Sequence, residues 1–175
     1  MMWLRWLTLT GLLVLPVLKT ADTGPDAGGA PFAPWNGAWR GEFVAYTADG
    51  AVRYRMQVEQ AYRRVSAVLQ RGVFVNRVPG REAERVHAEN TVEHGKLLCR
   101  VHAVDANGQA VGPVREHRGR LVGPGHIIWY SDLGDGEFET FNERVDGDTY
   151  SIHGVGVYGP KPEDRHVFEA HYTRQ

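Results

Sequence analysis

Residues 85–104 read RVHAENTVEHGKLLCRVHAV, and this stretch decides the fold. His94-Gly95 sits at its centre. A Gly in the second place of a two-residue turn supplies the positive φ that a tight hairpin needs. Folding the stretch about that turn sets Glu93 opposite Lys96, Glu89 opposite Arg100 and His87 opposite His102. Val86, Ala88, Val92, Leu97, Cys99, Val101 and Ala103 then share one face. Arg85, His87, Glu89, Arg100 and His102 share the other. An apolar face and a charged face at period two describe a half-buried antiparallel pair with its apolar side inward.

The same signals continue in both directions. Asp49-Gly50, Asn107-Gly108, Gly123-Pro124-Gly125, Gly134-Asp135-Gly136 and Asp146-Gly147 punctuate the chain every 10 to 15 residues. Upstream, Trp39, Gly41, Phe43 and Ala45 alternate with Arg40 and Glu42. Val52, Tyr54, Met56 and Val58 alternate with Arg53, Arg55, Gln57 and Glu59. No segment carries a helical stripe. The reading is an all-β, antiparallel up-and-down barrel of nine or ten strands over residues 35–175. So many strands close, because open edges invite aggregation. A closed barrel of this size can enclose one small ligand. A sandwich with a buried Trp39 is the alternative architecture.

Two later hairpins extend the register. A two-residue turn at Asn107-Gly108 predicts Arg100 opposite Arg115 and Val101 opposite Val114. That puts Val114 inside, with Arg115 and His117 outside beside His87 and His102. A turn at Asp146-Gly147 predicts Phe141 opposite Ile152 and Thr140 opposite His153. Glu137, Glu139 and Glu143 all share the face of Phe141, Tyr150 and Ile152, so that face is expected outside. Phe138, Thr140, Asn142, His153 and Val155 are expected inside.

The N-terminus reads differently. Arg5 precedes Leu7–Leu18 (LTLTGLLVLPVL), an apolar run without a charge. It is too short for the ~20 residues of a spanning helix and suits a secretory signal ending near Ala21. An uncleaved N-terminal anchor is the alternative. Residues 22–34, rich in Gly, Pro, Ala and Asp, read as a disordered linker. The expected location is periplasmic or secreted. Removal of residues 1–21 takes away Arg5 and Lys19 and no acidic residue, moving the net charge from −1 to −3. Such a balance lacks the basic face that nucleic acid requires. The single cysteine, Cys99, permits no internal disulfide and reads as a small buried hydrophobe.

Gly37-Ala38-Trp39 opens the first strand and Tyr172-Thr173-Arg174 closes the last. The pair resembles the calycin pattern of lipocalins and of secreted bacterial lipocalin-like domains of unknown function. In that pattern a Gly-x-Trp on the first strand packs near an Arg of the last. The resemblance implies that Arg174 covers the Trp39 indole and closes one barrel end. The chain departs from the pattern in lacking a helix before its last strand and a disulfide.

The chemistry is sparse. The sequence contains no Gly-x-Ser-x-Gly, no Cys–His arrangement of recognisable spacing and no phosphate-binding glycine loop, so no catalytic residue is assigned. Gly154 and Gly156 read as relief for a bulky neighbour or a barrel bend. The acidic turn around Asp132–Asp135 lacks the length of a calcium loop. Among eight histidines, only His166 and His171 lie close, and on one strand they face opposite sides, so no metal site is assigned.

The leading expectation is a small, mainly apolar molecule bound inside the barrel. Its contacts would be Phe43, Tyr54, Met56, Phe138, Thr140, Asn142, His153, Phe168 and Tyr172, with no other cofactor. Three other readings remain open. One is a haem- or metal-binding barrel using His153, as nitrobindin-like barrels hold haem through one internal His. Another is a barrel enzyme with His153 and Asn142 as acid–base and orienting groups. The last is a filled-core envelope domain that binds a partner protein.

Overall fold

The computed structural model describes residues 30–175. The segment read as a secretory signal and most of the stretch read as linker, residues 1–29, lie outside the described residues. Ten antiparallel strands follow in order: β1 (Gly37–Thr47), β2 (Val52–Arg64), β3 (Leu69–Arg77), β4 (Glu84–Glu93), β5 (Lys96–Val104), β6 (Ala110–Gly123), β7 (His126–Gly134), β8 (Glu137–Asp146), β9 (Thr149–Val157) and β10 (Arg165–Arg174). Each pairs with its sequence neighbour, and β10 pairs with β1, closing the barrel. Closure removes both sheet edges. Among the described residues no helix is long and apolar enough to cross a membrane.

The barrel has two unlike ends. At one, a 3-10 turn at Ala33–Trp35 tucks under the wall and buries Phe32 and Trp35. Residues 30–34, at the end of the stretch read as linker, belong to this plug or lead directly into it. Gln70, 1% exposed, ties this plug down by donating to Phe32 O and Asn36 Oδ1. Trp39 packs above it, its Nε1 donating to Trp35 O at 2.8 Å. Arg174 lies opposite Trp39 in the β1–β10 ladder, its guanidinium 4.1 Å from the indole centroid. The same guanidinium donates to Asn36 O and Pro34 O, joining plug, first strand and last strand. At the other end no such plug is seen among the described residues, and the inward-facing Tyr54 is 37% exposed.

The β4–β5 hairpin has the register expected of it, with His87 opposite His102 and Glu89 opposite Arg100. His94 and Gly95 both have positive φ, at 51° and 74°, as that two-residue turn demands.

The next hairpin differs. Asn107 does not adopt positive φ; Gly108 alone does, at 79°. Asp105 and Gln109 are joined by a backbone bond, which leaves a three-residue loop. One extra turn residue slips the register by one and exchanges the faces of the following strand. Together with a two-residue bulge, this pairs Val101 with Arg115 and Cys99 with His117. Arg115 and His117 point inward, and Val114 is 56% exposed. A bulge around Gly112 (φ 78°) inserts two further residues opposite His102 and leaves the faces unchanged.

The β8–β9 hairpin turns on Gly147-Asp148, because Asp146 pairs with Thr149. Only Gly147 has positive φ, at 57°, as the first central position of a II′ turn requires. Phe141 is opposite Gly154, and Asn142 opposite His153. The face inside is the one that carries Glu139, Phe141, Glu143, Tyr150 and Ile152. Tyr150 and Ile152 are buried, and Glu139 is 3% exposed. Counting carboxylates misassigned this hairpin: one of those Glu is fully partnered, and another meets enclosing aromatics.

Candidate functional site

Not every inward side chain from the middle of the strands is buried. Met56, Phe74, Cys99 and Phe141 all pack against the core cluster yet stay only partly buried, although a closed wall surrounds them. One side of the inner wall carries a row of rings. Tyr54 stacks on Phe43 at 6.4 Å, Phe43 meets Phe168 at 5.5 Å, and Phe168 stacks on Phe141 at 5.5 Å. Gly154 makes that row possible, since a Cβ there would lie 2.3 Å from Thr140 O and 2.9 Å from the Phe141 ring.

A polar cluster adjoins the row towards the open end. Glu139 Oε1 is 2.8 Å from His117 Nε2, and its Oε2 accepts from Tyr158 OH at 2.6 Å. Arg115 Nη1 lies 3.1 Å from the same oxygen. Burial alone would raise this carboxyl. The bonds from His117 and Tyr158 and the Arg115 charge outweigh it and hold Glu139 down at about 2. His117 also faces the Phe141 ring at 5.7 Å, so the polar cluster and the aromatic row share a boundary.

A second carboxyl, Glu143, lies towards the plugged end. Burial pushes it up to about 7, against opposing interactions with Tyr150, Trp129, His117 and Trp35. Tyr62, Tyr172 and Cys99 also feel its charge. Cys99 itself is held far above the ordinary thiol range, first by burial and then by Glu143, so it stays an inert thiol. Trp35 Nε1 and Tyr150 OH are enclosed beside this carboxyl.

Of the residues expected to line a ligand, Phe43, Tyr54, Met56, Phe168 and Tyr172 are on the inner wall. Phe43, Phe168 and Tyr172 are buried there. Phe138, Thr140, Asn142 and His153 are not on that wall. They lie on the outer face with Val155, which is 42% exposed. Phe138 stacks on the exposed Tyr130 at 6.2 Å, Asn142 bonds His126, and His153 meets His171 at 6.0 Å. The interior therefore contains no His153 to ligate haem or a metal, and the His153–Asn142 pair has no enclosed site in which to act as acid and base. Among the described residues no group of three or more His, Cys, Asp or Glu could hold a metal ion.

The reading from sequence missed Arg115, His117, Glu139, Glu143 and Tyr158. A three-residue reading of the Asn107-Gly108 loop would have found the first two. A cleft of about 640 Å³ also opens at the plugged rim, between Pro31, Val68, Val92, Leu97 and Leu121. It is separate from the polar clusters and shares no residue with the expected contacts.

No protein-family model matches the chain, and no curated protein matches it. Solved structures do. The barrel is similar to the S-type phycobiliprotein lyase CPES from Guillardia theta, with a TM-score of 0.60 and 10% identity, over 82% of this chain and 90% of that one. It is also similar to Rv2717c from M. tuberculosis, with a TM-score of 0.57 and 15% identity, over 86% and 99%. At such identities the likeness is one of fold. The ten-stranded closed barrel fits a calycin-like fold.

Proposed function

We propose that this barrel is a lipocalin-like carrier that holds a small, mainly apolar molecule in its lumen, outside the cytoplasm. One observation supports the binding reading: apolar and aromatic residues on the inner face of a closed wall stay only partly buried. A filled core would have buried them, as protein interiors pack densely. An apolar enclosure with a few convergent polar groups is the usual form of a small-molecule site. The aromatic row of Phe43, Phe141 and Phe168 would receive the apolar body, and Tyr54 stands at the entrance. The exported location rests on Arg5 and the apolar run Leu7–Leu18.

Titration with a flat apolar dye such as anilinonaphthalene sulfonate tests the binding. Saturable one-to-one binding that Val101→Trp abolishes, by filling the lumen from the inner face of β5, is the expected result. Binding that fails to saturate, or that ignores this substitution in a folded variant, would overturn it. The intact mass of exported material should lack Met1 and the apolar run, and export with Met1 retained would overturn the cleaved-signal reading.

A further inference from the structure

The two ends of the barrel differ in charge as well as in closure. At the open end the turns carry Asp49, Glu82, Asp105, Asp135, Glu163 and Asp164 against Arg81 and Lys161. At the plugged end two connections are apolar instead. The β2–β3 turn reads Val65-Ser66-Ala67-Val68, and β6 ends through Leu121 and Val122 before Gly123-Pro124. Val65, Val68, Leu121 and Val122 are each about half exposed. The rim cleft brings the two tips together, because Ala67, Val68 and Leu121 share its lining with Pro31, Lys96 and Arg120. Contiguous apolar surface rimmed by charge marks an interaction site. Here the rim is cationic. Arg63, Lys96 and Arg120 are exposed near the plugged ends of β2, β5 and β6, and none has an acidic partner among the described residues. The neighbouring acids are taken, Glu93 by Arg100 and Asp148 by Arg174. Asp146 stands on the β8–β9 hairpin, whose turn carries no apolar tip. Lys96 and Arg120 follow the Leu97–Gly119 pair by one ladder step, so two like charges stand side by side. Such neighbours repel each other, and an anion against them relieves the repulsion.

We propose that the plugged end docks on an anionic lipid bilayer, with the two apolar tips entering the interface and Arg63, Lys96 and Arg120 meeting lipid phosphates. The inference is independent of what the barrel holds. An anionic bilayer uses both features of this end: apolar side chains gain by entering the headgroup region, and each cation near the surface adds attraction. A soluble acidic partner would engage the cations and leave the tips in water. A second copy would set one cationic collar against another. Chain direction supports the same occupant. Pro31 lines the cleft, so the preceding residues, with the apolar run Leu7–Leu18, join the barrel at this end. When that run engages a membrane, this is the end brought towards it. The acidic turns of the open end then point away from the anionic surface, and the barrel mouth stays clear.

The test places an environment-sensitive nitrobenzoxadiazole dye on single cysteines of the full chain, in Val68→Cys and Val122→Cys at the plugged end and Asp135→Cys at the open end. The native Cys99 is enclosed and inert. Phosphatidylglycerol vesicles should blue-shift and brighten the dye at positions 68 and 122 and leave it unchanged at 135. Phosphatidylcholine vesicles should bind roughly tenfold or more weakly, as should the Lys96→Glu, Arg120→Glu double variant on phosphatidylglycerol, given what each cation contributes at an anionic surface. Salt at about 0.5 M should weaken binding in the same direction. Both charge reversals are at exposed positions, so the variant keeps its fold. A blue shift at 135, an equal response to the two lipids, or an unchanged response in the double variant would overturn the docking pose. Vesicle binding without a response at 68 or 122 would leave the membrane contact to the N-terminal run alone. A response without vesicles that grows with protein concentration would give the tips to a second copy. Either result overturns the proposal.

Discussion

His117 stands opposite Cys99 on the inner wall, and its Nε2 lies 2.8 Å from Glu139 Oε1 two strands away. Both side chains are nearly sealed from solvent, at 8% and 4% exposed. An enclosed carboxylate survives only when its lone pairs are matched, and here His117, Arg115 and Tyr158 do the matching. This is the best-satisfied polar group in the interior, so its removal has a defined cost and a defined pH signature.

Glu139 titrates near 4.5 when unfolded and near 2 when folded. A depressed carboxyl contributes stability above its unfolded value, and that contribution is lost as pH falls through the folded one. Urea unfolding should therefore show wild-type stability falling by up to about 3 kcal/mol between about pH 5 and about pH 2 in excess of Glu139→Gln. Parallel pH profiles for the two proteins would contradict the matched carboxylate.

Glu143 carries the opposite sign. Its folded value of about 7 lies above the unfolded 4.5. Its contribution is intact below the unfolded value and declines as pH rises to the folded one, leaving a penalty above it. Relative to wild type, Glu143→Gln should gain of order 3 kcal/mol between about pH 4 and about pH 8, the Gln lacking the ionisation that burial opposes. A difference between the two proteins that stays constant with pH would place Glu143 in water.

The Trp39–Arg174 contact closes the plugged end. Trp39→Ala should cost about 3–5 kcal/mol in chemical denaturation, as a buried ring does. A double-mutant cycle with Arg174→Ala should return a coupling of about 0.5–2 kcal/mol, the range of a cation over an indole. A coupling indistinguishable from zero would mean that the guanidinium acts only through its bonds to Asn36 O and Pro34 O.

His153 and Asn142, by contrast, should be dispensable. His153→Gln and Asn142→Ala lie on the outer face and should each shift stability by no more than about 0.5 kcal/mol. Dye binding should be untouched, and its loss in either variant would place the site on the outside of the barrel.

These expectations show where the sequence was readable. Alternation and turn residues were enough for the closed up-and-down barrel and for the β4–β5 register, because His94-Gly95 is a turn whose length its residue types determine. The flanking hairpins were harder for a physical reason. Asn-Gly and Asp-Gly serve both two- and three-residue loops, and one extra residue exchanges every side chain between faces. That single ambiguity hid Arg115 and His117. The β8–β9 faces were hidden by a different effect. Glu139 and Glu143 look like solvent-facing residues until their partners are known, and those partners come from β6, from β7, from the plug and from the β9–β10 connection, far away in the chain. Local pattern reads the wall; the lumen's chemistry is set by long-range neighbours.

The central claim is that a small apolar molecule occupies the lumen, and isotope-filtered NMR locates it most directly. With labelled protein and unlabelled 1-decanol, the account predicts nuclear Overhauser contacts from the alkyl chain to the Met56 methyl and to the rings of Phe74 and Phe141. Contacts confined to Val68 and Leu121, at the rim cleft, would contradict it.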